Sequence, residues 1–454
     1  MRRKGHVRRD FMITAVLEKI NSVVWGLPTL FLFVGSGIFF SVRLRWVQFA
    51  KLPAAFGAIK ADLKRGNSSD GQKGLSTTAA LAAALGAVMG PGNIIGVSSA
   101  ILIGGAGAVF WMWVSALLGM AARYAESVLS VLHRRTGKDG QPYGGPMYVM
   151  RDRGYVKTAA VFAAAGVLIS FTMANALPSG ALGSALQESY GIPPLLTGGV
   201  LCAFALVTVF GGGKRIAKVS GFLVPVMCIF FIGASIFIMA CYPQQLWGAV
   251  TQIFKGAFSL KAGLGGLIGG AIRYGMARGI YSNEAGMGTE PILAAATAEP
   301  NAHRQGLISM TGPFLDTVVF CSFTAIVVLM AGYGPADSAA SLVSDAFAHF
   351  LPGCGAFIVN ATMTMLVLAT LASWAFYGEK CLAYFTDSVV LRRMYRIAYA
   401  ALPMLCAGAN LGIIFVITDI STAFMAIPNI IVCILLISEV KKENEKSFLV
   451  LNSR

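Results

Sequence analysis

The sequence predicts an all-α integral membrane protein, and its composition, its hydropathy pattern and its charge distribution each support that class. Of its 454 residues, 56% are hydrophobic and only 12% are charged, whereas soluble domains carry about a quarter charged residues. Apolar stretches close to the ~20 residues that a spanning helix needs recur from Asn21 to Glu439. We therefore expect lipid to be the solvent for most of the chain.

Eleven apolar segments are expected to cross the membrane. A segment 1–20 precedes them, 21–41 forms an extra first helix, and 440–454 forms a cytoplasmic tail. The expected spans are 21–41, 75–104, 106–132, 157–186, 193–210, 217–241, 262–298, 305–332, 356–385, 396–416 and 420–439.

The net charge of +16 does not indicate a nucleic-acid partner, because the basic residues lie in short gaps between apolar segments. Every second gap is rich in Lys and Arg, which places those gaps in the cytoplasm. The N-terminus is then outside and the C-terminus inside, in the plasma membrane of a bacterium or archaeon. The basic segment MRRKGHVRRD disagrees, and we hypothesise that translation starts at Met12, so that residues 1–11 are not translated.

Two of the expected spans are interrupted near their middles. The second contains GAVMGPGNIIGV and the seventh contains SNEAGMG, where Gly, Pro and polar residues oppose a continuous helix. Since five spans separate their starts, residues 75–241 and 262–439 form two sets of five, and the second set is inverted. Broken helices at corresponding positions of inverted repeats are typical of a transporter whose substrate and ion bind at the breaks.

The first break is expected around residues 89–93. Pro91 lacks an N–H and disfavours a helical Gly90, so carbonyls freed at Met89 and Gly90 are candidate cation ligands. Freed N–H groups near Gly92 and Asn93 are candidate ligands for a carboxylate. The alternative is a simple proline kink with glycines used for close packing.

The second break supplies Ser282 and Asn283, with the backbone around Gly286 and Met287, as candidate ligands. Glu284 is a costly charge at membrane depth, and a structural pairing with Arg273 or Arg278 is favoured over direct contact with substrate.

Two further spans contain candidate pocket residues. Asn175, beside Met173, must find a hydrogen-bond partner in an apolar setting, and an interhelical bond is favoured slightly over substrate. Thr370 and Trp374 share one helix face and line a small cavity, unless Thr370 bonds its own backbone and Trp374 only packs.

Other features of the spans point away from catalysis. Arg123 and Glu126, in RYAE, are expected to form a structural or gating pair rather than a proton relay. Asp316, in FLDT, is another intramembrane charge, to which the sequence gives no role. No Walker motif, metal-ligand spacing or nucleophile–base pattern is present, so an enzyme is not expected.

Several of these motifs resemble the alanine/glycine:cation symporter family, also called sodium:alanine symporters or amino acid carrier proteins. The resemblance covers nearly the whole chain, through GPGNIIGV, YGGPMYVM, ARGIYSNEAGMGTEPILAAA, HRQGLISMTGPFLDT and WAFYGEKCLAYF. It implies a leucine-transporter-type fold, with ten of eleven helices in a 5+5 inverted repeat. It also implies sodium-coupled import of a small neutral amino acid such as alanine, glycine or serine.

The resemblance further assigns residues to ligands. The family's substrate pocket lines up with Gly90, Gly92, Asn93, Met173, Asn175, Ser282, Asn283, Gly286, Met287, Thr370 and Trp374. Sodium is expected at Met89, Gly90 and Thr370.

Four positions depart from the family pattern, and each departure removes a polar group. Pro91 stands for Thr, Val88 for a frequent Thr, Met173 for a pocket Gln and Ala369 for a Ser. The pocket is therefore expected to be more apolar than usual. A proton-coupled symporter and a transport-inactive sensor or channel remain alternatives, and a monomer is expected.

Overall fold

The computed structural model describes residues 27–65, 74–258, 270–334, 339, 341–409 and 411–452. The expected N-terminal segment 1–20, with its start-site hypothesis, lies outside the described residues. So do the first residues of the expected spans 21–41 and 262–298.

The described chain is almost entirely helical. Its first eleven α-helices are α1 (Leu27–Arg43), α2 (Val47–Ala50), α3 (Leu52–Arg65), α4 (Thr77–Val88), α5 (Ile95–Gly104), α6 (Gly107–Leu132), α7 (Pro146–Asp152), α8 (Val156–Phe171), α9 (Leu177–Tyr190), α10 (Pro194–Phe210) and α11 (Gly212–Cys241). The others are α12 (Pro243–Ala257), α13 (Gly270–Asn283), α14 (Glu290–Ala294), α15 (Ala302–Ser309), α16 (Thr311–Pro313), α17 (Cys321–Ala331), α18 (Leu342–Phe350), α19 (Gly355–Ala383), α20 (Val389–Cys406), α21 (Gly412–Leu435) and α22 (Ile437–Asn452).

Short elements of other kinds join or interrupt these helices. A 3₁₀ turn, Pro91–Asn93, follows α4. Two π-helical segments, Thr172–Ala176 and Phe314–Phe320, lie between α8 and α9 and between α16 and α17. Strands β1 (Arg135–Thr136) and β2 (Pro142–Tyr143) pair antiparallel, with Arg135 opposite Tyr143.

Six helical segments of the described chain are long and apolar enough to cross a membrane, which makes this a multi-pass membrane protein. They are α6, α8 with α9, α11, α15 to α17, α19 and α21. The bent pair of α4 and α5 makes a seventh if it is counted as one span, and α1 and α10 are shorter apolar helices.

The tenth expected span, 396–416, differs from the helix that is present. Helix α20 begins at Val389 and ends at Cys406, so Arg392 and Arg393, which lie in the expected gap 386–395, are on the helix. Arg396 makes two hydrogen bonds to the Glu379 carboxylate of α19, at 2.6 and 2.9 Å. A charged residue with a partner on a neighbouring helix does not end a helix.

Small residues let α6 and α13 pack closely, and this contact positions the second break. A Cβ on Gly275 of α13 would lie 2.3 Å from the Ala108 carbonyl oxygen, and a Cβ on Gly279 would lie 1.9 Å from the Ser115 hydroxyl. Glycines of this kind let membrane helices approach backbone to backbone. The close approach brings Arg123 and Glu126 of α6 to the end of α13.

Candidate functional site

The first break lies where the sequence predicts it. Helix α4 ends at Val88, Met89 and Gly90 are extended, and Pro91 opens the 3₁₀ turn. The two halves of the span, α4 and the Pro91–Gly104 segment, are bent by 63°. This prediction is confirmed, because Met89 and Gly90 leave the helical conformation altogether, whereas a simple proline kink would leave the helix continuous.

The side-chain amide of Asn93 forms hydrogen bonds both within the first break and outside it. Its Oδ1 accepts the Gly90 N–H at 3.1 Å, and its Nδ2 donates to Asp316 Oδ1 at 2.5 Å. The side chain is fully buried, so both bonds form away from water. Asn93 thereby links the break to a carboxylate 223 residues along the chain.

The second break also lies where the sequence predicts it. Helix α13 ends at Asn283, and Glu284, Gly286 and Gly288 have φ values of 51°, 92° and 78° before α14 begins at Glu290. Glycine adopts positive φ readily, whereas Glu284 does so at a cost. Strained backbone of this kind concentrates at functional sites.

Two charged side chains of α6 hold the backbone of the second break. Arg123 Nη2 donates to the Asn283 carbonyl at 2.7 Å. Glu126 accepts the N–H groups of Gly286 and Gly288, at 2.5 and 2.9 Å. A cation thus meets the carbonyl end of α13 and an anion meets the freed amides, which matches the helix-end dipoles.

Two expected ion pairs are wrong. Among the described residues, Arg123 and Glu126 form no ion pair with each other, because each binds backbone of the second break. Glu284 is not paired with Arg273 or Arg278 in the described chain either. Its Oε2 accepts the Thr289 hydroxyl at 2.8 Å, within the same break.

Asp316 joins the two breaks. It is fully buried in the π-helical segment Phe314–Phe320, and it accepts hydrogen bonds from Asn93 at 2.5 Å and from the hydroxyls of Ser282 and Thr317 at 2.8 Å each. Asn93 belongs to the first break and Ser282 to the last turn of α13. The rarity of intramembrane carboxylates was the sequence signal for this residue, but nothing in the sequence shows its partners.

Thr370 and Trp374 of α19 contact the last turn of α4. The Thr370 hydroxyl lies 3.2 Å from the Gly86 carbonyl oxygen and 3.3 Å from that of Met89. Trp374 Nε1 donates to the Ala87 carbonyl at 3.3 Å. Thr370 therefore bonds a neighbouring helix rather than its own backbone, and it brings three oxygen atoms together beside the first break.

Comparison with known proteins places the chain in a family. Residues 10–449 match the sodium:alanine symporter family. The chain belongs to this family. It is a symporter and not an enzyme, and the resemblance drawn from the sequence motifs is confirmed.

Individual relatives of this symporter agree with that placement. The sodium/alanine symporter AgcS of Methanococcus maripaludis is 39% identical over 450 residues, which cover 96% of this chain and 98% of AgcS. The putative sodium/proton-dependent alanine carrier protein YrbD of Bacillus subtilis is 34% identical, over 81% of this chain and 78% of YrbD. The crystal structure of MhsT in complex with L-phenylalanine has a TM-score of 0.58 at 16% identity, covering 80% of this chain and 89% of MhsT. The symporter therefore has a transporter fold.

The symporter does not bring all of the predicted pocket residues together. Asn175 Nδ2 donates to the Tyr399 carbonyl of α20 at 2.7 Å, which is the interhelical bond that the sequence slightly favoured. Met173, two residues earlier in the same π-helical segment, is half-buried and packs against the larger hydrophobic core. The cluster against which Met173 packs includes Trp374.

The polar groups of the second break are largely engaged within the symporter. Asn283 Oδ1 accepts the Ala285 N–H at 3.0 Å, and the Gly286 carbonyl accepts Nδ2 of Asn429 at 2.9 Å. Met287 is buried, and its N–H donates to the Glu284 carbonyl at 3.1 Å. Ser282 is linked to the first break indirectly, because Asp316 accepts hydrogen bonds from both Ser282 and Asn93.

Proposed function

We propose that this symporter imports a small neutral amino acid, such as alanine, glycine or serine, together with sodium, by alternating access. The observation that carries the proposal is the pair of interrupted helices joined through buried Asp316. Binding at one break then alters hydrogen bonds that hold the other. Family membership and the sodium/alanine relative AgcS support the same substrate and ion.

The proposed architecture has eleven spans, ten of them in two inverted sets of five, in a monomeric protein. Each set opens on a broken helix, α4 with α5 in the first and α13 with α14 in the second, and the similarity to MhsT supports this arrangement. The N-terminus is outside and the C-terminus cytoplasmic, by the distribution of basic gaps. The lipid bilayer is the surrounding partner.

The substrate carboxylate is proposed to meet the N–H groups at the start of α5. A Cβ on Gly92 would have no heavy atom within 4 Å, which leaves room for a ligand beside the backbone. The positive end of α5 favours an anion there. The ammonium group would meet oxygen atoms of the second break, and Met173 with Trp374 would limit side-chain size.

Sodium is proposed to bind where α4 meets α19. Sodium is a hard cation that prefers oxygen ligands, and the carbonyls of Met89 and Gly86 with the Thr370 hydroxyl converge there. The Gly90 carbonyl accepts the Asn93 N–H at 3.0 Å, so it would join the ligand set through its second lone pair. Bound sodium would fix α4 against α19 and thereby raise the affinity of the first break for substrate.

Thr370→Ala is expected to weaken sodium dependence and to leave the order of preferred substrates unchanged. The substitution removes the single side-chain oxygen proposed for sodium. We expect the half-saturating sodium concentration to rise about tenfold, which corresponds to roughly 1.4 kcal/mol of binding free energy. Sodium titrations of uptake in proteoliposomes measure this. Thr364→Ala on the same helix is the matched control, because the Thr364 hydroxyl bonds the Asn360 carbonyl within α19. An unchanged titration for Thr370→Ala contradicts the proposed site.

Met173→Gln is expected to shift preference toward more polar or smaller substrates. It restores the amide that family members carry and makes the pocket wall hydrogen-bonding. The measurement is inhibition of labelled alanine uptake by a panel of unlabelled amino acids. If the pattern of inhibition by the competitors is identical to that of the unmodified protein, Met173 does not line the pocket.

One experiment tests the proposed function as a whole. Purified protein in proteoliposomes is given radiolabelled alanine, glycine or serine, with and without an inward sodium gradient. Accumulation that requires sodium supports the proposal. Accumulation that persists without sodium and collapses with the pH gradient indicates proton coupling, and binding without accumulation indicates a sensor.

A further inference from the structure

A basic elbow, defined as residues 43–64, follows the first helix. After α1 ends at Arg43, Arg45 and Trp46 adopt left-handed φ values of 57° and 54° and turn the chain sharply. Helices α2 and α3 follow, and neither is long and apolar enough to span a membrane. The elbow therefore runs along the surface of the bundle after the first span.

The exposed charges of the elbow are all positive. Arg43, Arg45, Lys60 and Lys64 are exposed. The single acidic residue of the segment, Asp62, is bound on the inner side by Arg304 of α15 at 2.5 Å. The outer face thus presents cations without a competing carboxylate of its own.

Large apolar side chains lie among these cations. Trp46 and Phe49 are 46% and 52% exposed and stack with ring centroids 6.0 Å apart, and Leu63 on α3 is 66% exposed. Aromatic rings beside Lys and Arg are characteristic of the membrane–water interface. A helix with basic and apolar exposed residues lies in that interface and binds anionic lipid.

The inner side of the elbow contacts the segment that carries Asp316. The Phe56 ring of α3 packs edge-on against Phe314, with centroids 6.0 Å apart, and Phe314 opens the π-helical segment that contains Asp316. Arg304 Nη2 also donates to the Ala58 carbonyl at 3.4 Å. The position of α3 is therefore mechanically connected to the residue that joins the two breaks.

We propose that the basic elbow is a docking surface for the headgroups of anionic phospholipids, and that occupancy of this surface raises the transport rate. Lys60 and Lys64, one turn apart on α3, meet the phosphate-bearing headgroups. Trp46, Phe49 and Leu63 enter the adjoining acyl region. Juxtamembrane basic clusters bind anionic lipid by this combination of charge and apolar insertion. The effect on rate rests on the proposed transport function, whereas the binding does not.

The binding test uses bilayers of zwitterionic lipid with brominated phosphatidylglycerol or brominated phosphatidylcholine. Quenching in the unmodified protein minus quenching in Trp46→Phe reports on Trp46 alone. We expect the Trp46 signal to be quenched about twofold more by the anionic lipid. Lys60→Gln with Lys64→Gln is expected to abolish that preference. The matched control, Lys214→Gln with Lys218→Gln, removes two exposed lysines elsewhere and is expected to retain it.

The rate test measures initial uptake with and without phosphatidylglycerol. Anionic lipid is expected to raise the rate about threefold in the unmodified protein and in the control, and not in Lys60→Gln with Lys64→Gln. Equal quenching of Trp46 by the two brominated lipids overturns the proposal. So does an increase in uptake rate with phosphatidylglycerol that is as large in Lys60→Gln with Lys64→Gln as in the unmodified protein. Headgroup-selective quenching without sodium-driven uptake in any liposome would refute the proposed function and the rate effect, and leave the docking surface standing.

Discussion

Replacing Asn93 with alanine is expected to reduce sodium-driven uptake at least ~100-fold. The substitution leaves buried Asp316 without its 2.5 Å donor and the Gly90 N–H without its acceptor. A buried polar group without a partner costs about 1–3 kcal/mol, and more when the group is charged. Both costs fall on the structure that links the two breaks, so the first break is expected to lose its binding geometry. Initial uptake rates in proteoliposomes measure the loss.

Asn360→Ala is the matched control for this prediction. Asn360 is buried on α19 and bonds the Ser189 hydroxyl at 3.0 Å, and its side chain forms no hydrogen bond to either break in the described chain. The same substitution there is expected to change uptake less than about twofold, after correction for the amount of folded protein. Near-normal uptake by Asn93→Ala would remove Asn93 from the site. Loss of folded protein in that variant is separated from loss of function by size-exclusion chromatography.

Glu126→Gln is expected to reduce both uptake and thermal stability. The Glu126 carboxylate presents one oxygen to the Gly286 N–H and the other to the Gly288 N–H. Glutamine retains one oxygen, and its amide nitrogen would face a second N–H donor. Removing a charged acceptor from a buried amide costs about 2–3 kcal/mol, so a tenfold or greater loss of uptake is expected. Thermal unfolding of the purified protein should shift down by a few degrees.

Glu188→Gln makes the same chemical change at an exposed position. It is expected to leave uptake and unfolding temperature unaltered, because surface substitutions away from special features change stability by less than about 0.5 kcal/mol. If Glu126→Gln unfolds and transports like this control, the two amides of the second break do not depend on α6.

The positions of both breaks could be predicted from sequence because their causes are local. Pro91 between two glycines, and Gly286 with Gly288, act on their own backbone, so neighbouring residues in the chain suffice to locate the interruption. What holds each break could not be predicted in the same way. The partner of Asn93 is 223 residues distant, and one sequence contains no information on which intramembrane carboxylate it meets.

The errors in the predicted site share one physical reason. Arg123 and Glu126 were expected to neutralise each other, as adjacent opposite charges on one helix often do. In the folded chain, freed carbonyls and amides of a broken helix compete for them, because such groups find no water at membrane depth. Outside the site, Arg392 and Arg393 lie in an expected gap between spans, although α20 is helical through both residues. The position of a charged residue in a membrane protein therefore depends on the groups that bind it as well as on its own polarity.

The contacts at the two breaks are reciprocal. Asp316 and Thr370, which follow residue 270 in the sequence, form hydrogen bonds to the first break. Arg123 and Glu126, which precede residue 258, form hydrogen bonds to the second break. Each half of the chain therefore supplies the side chains that hold the non-helical backbone of the other half in place. During biosynthesis the first break therefore cannot form these hydrogen bonds until Asp316 and Thr370 have been synthesised.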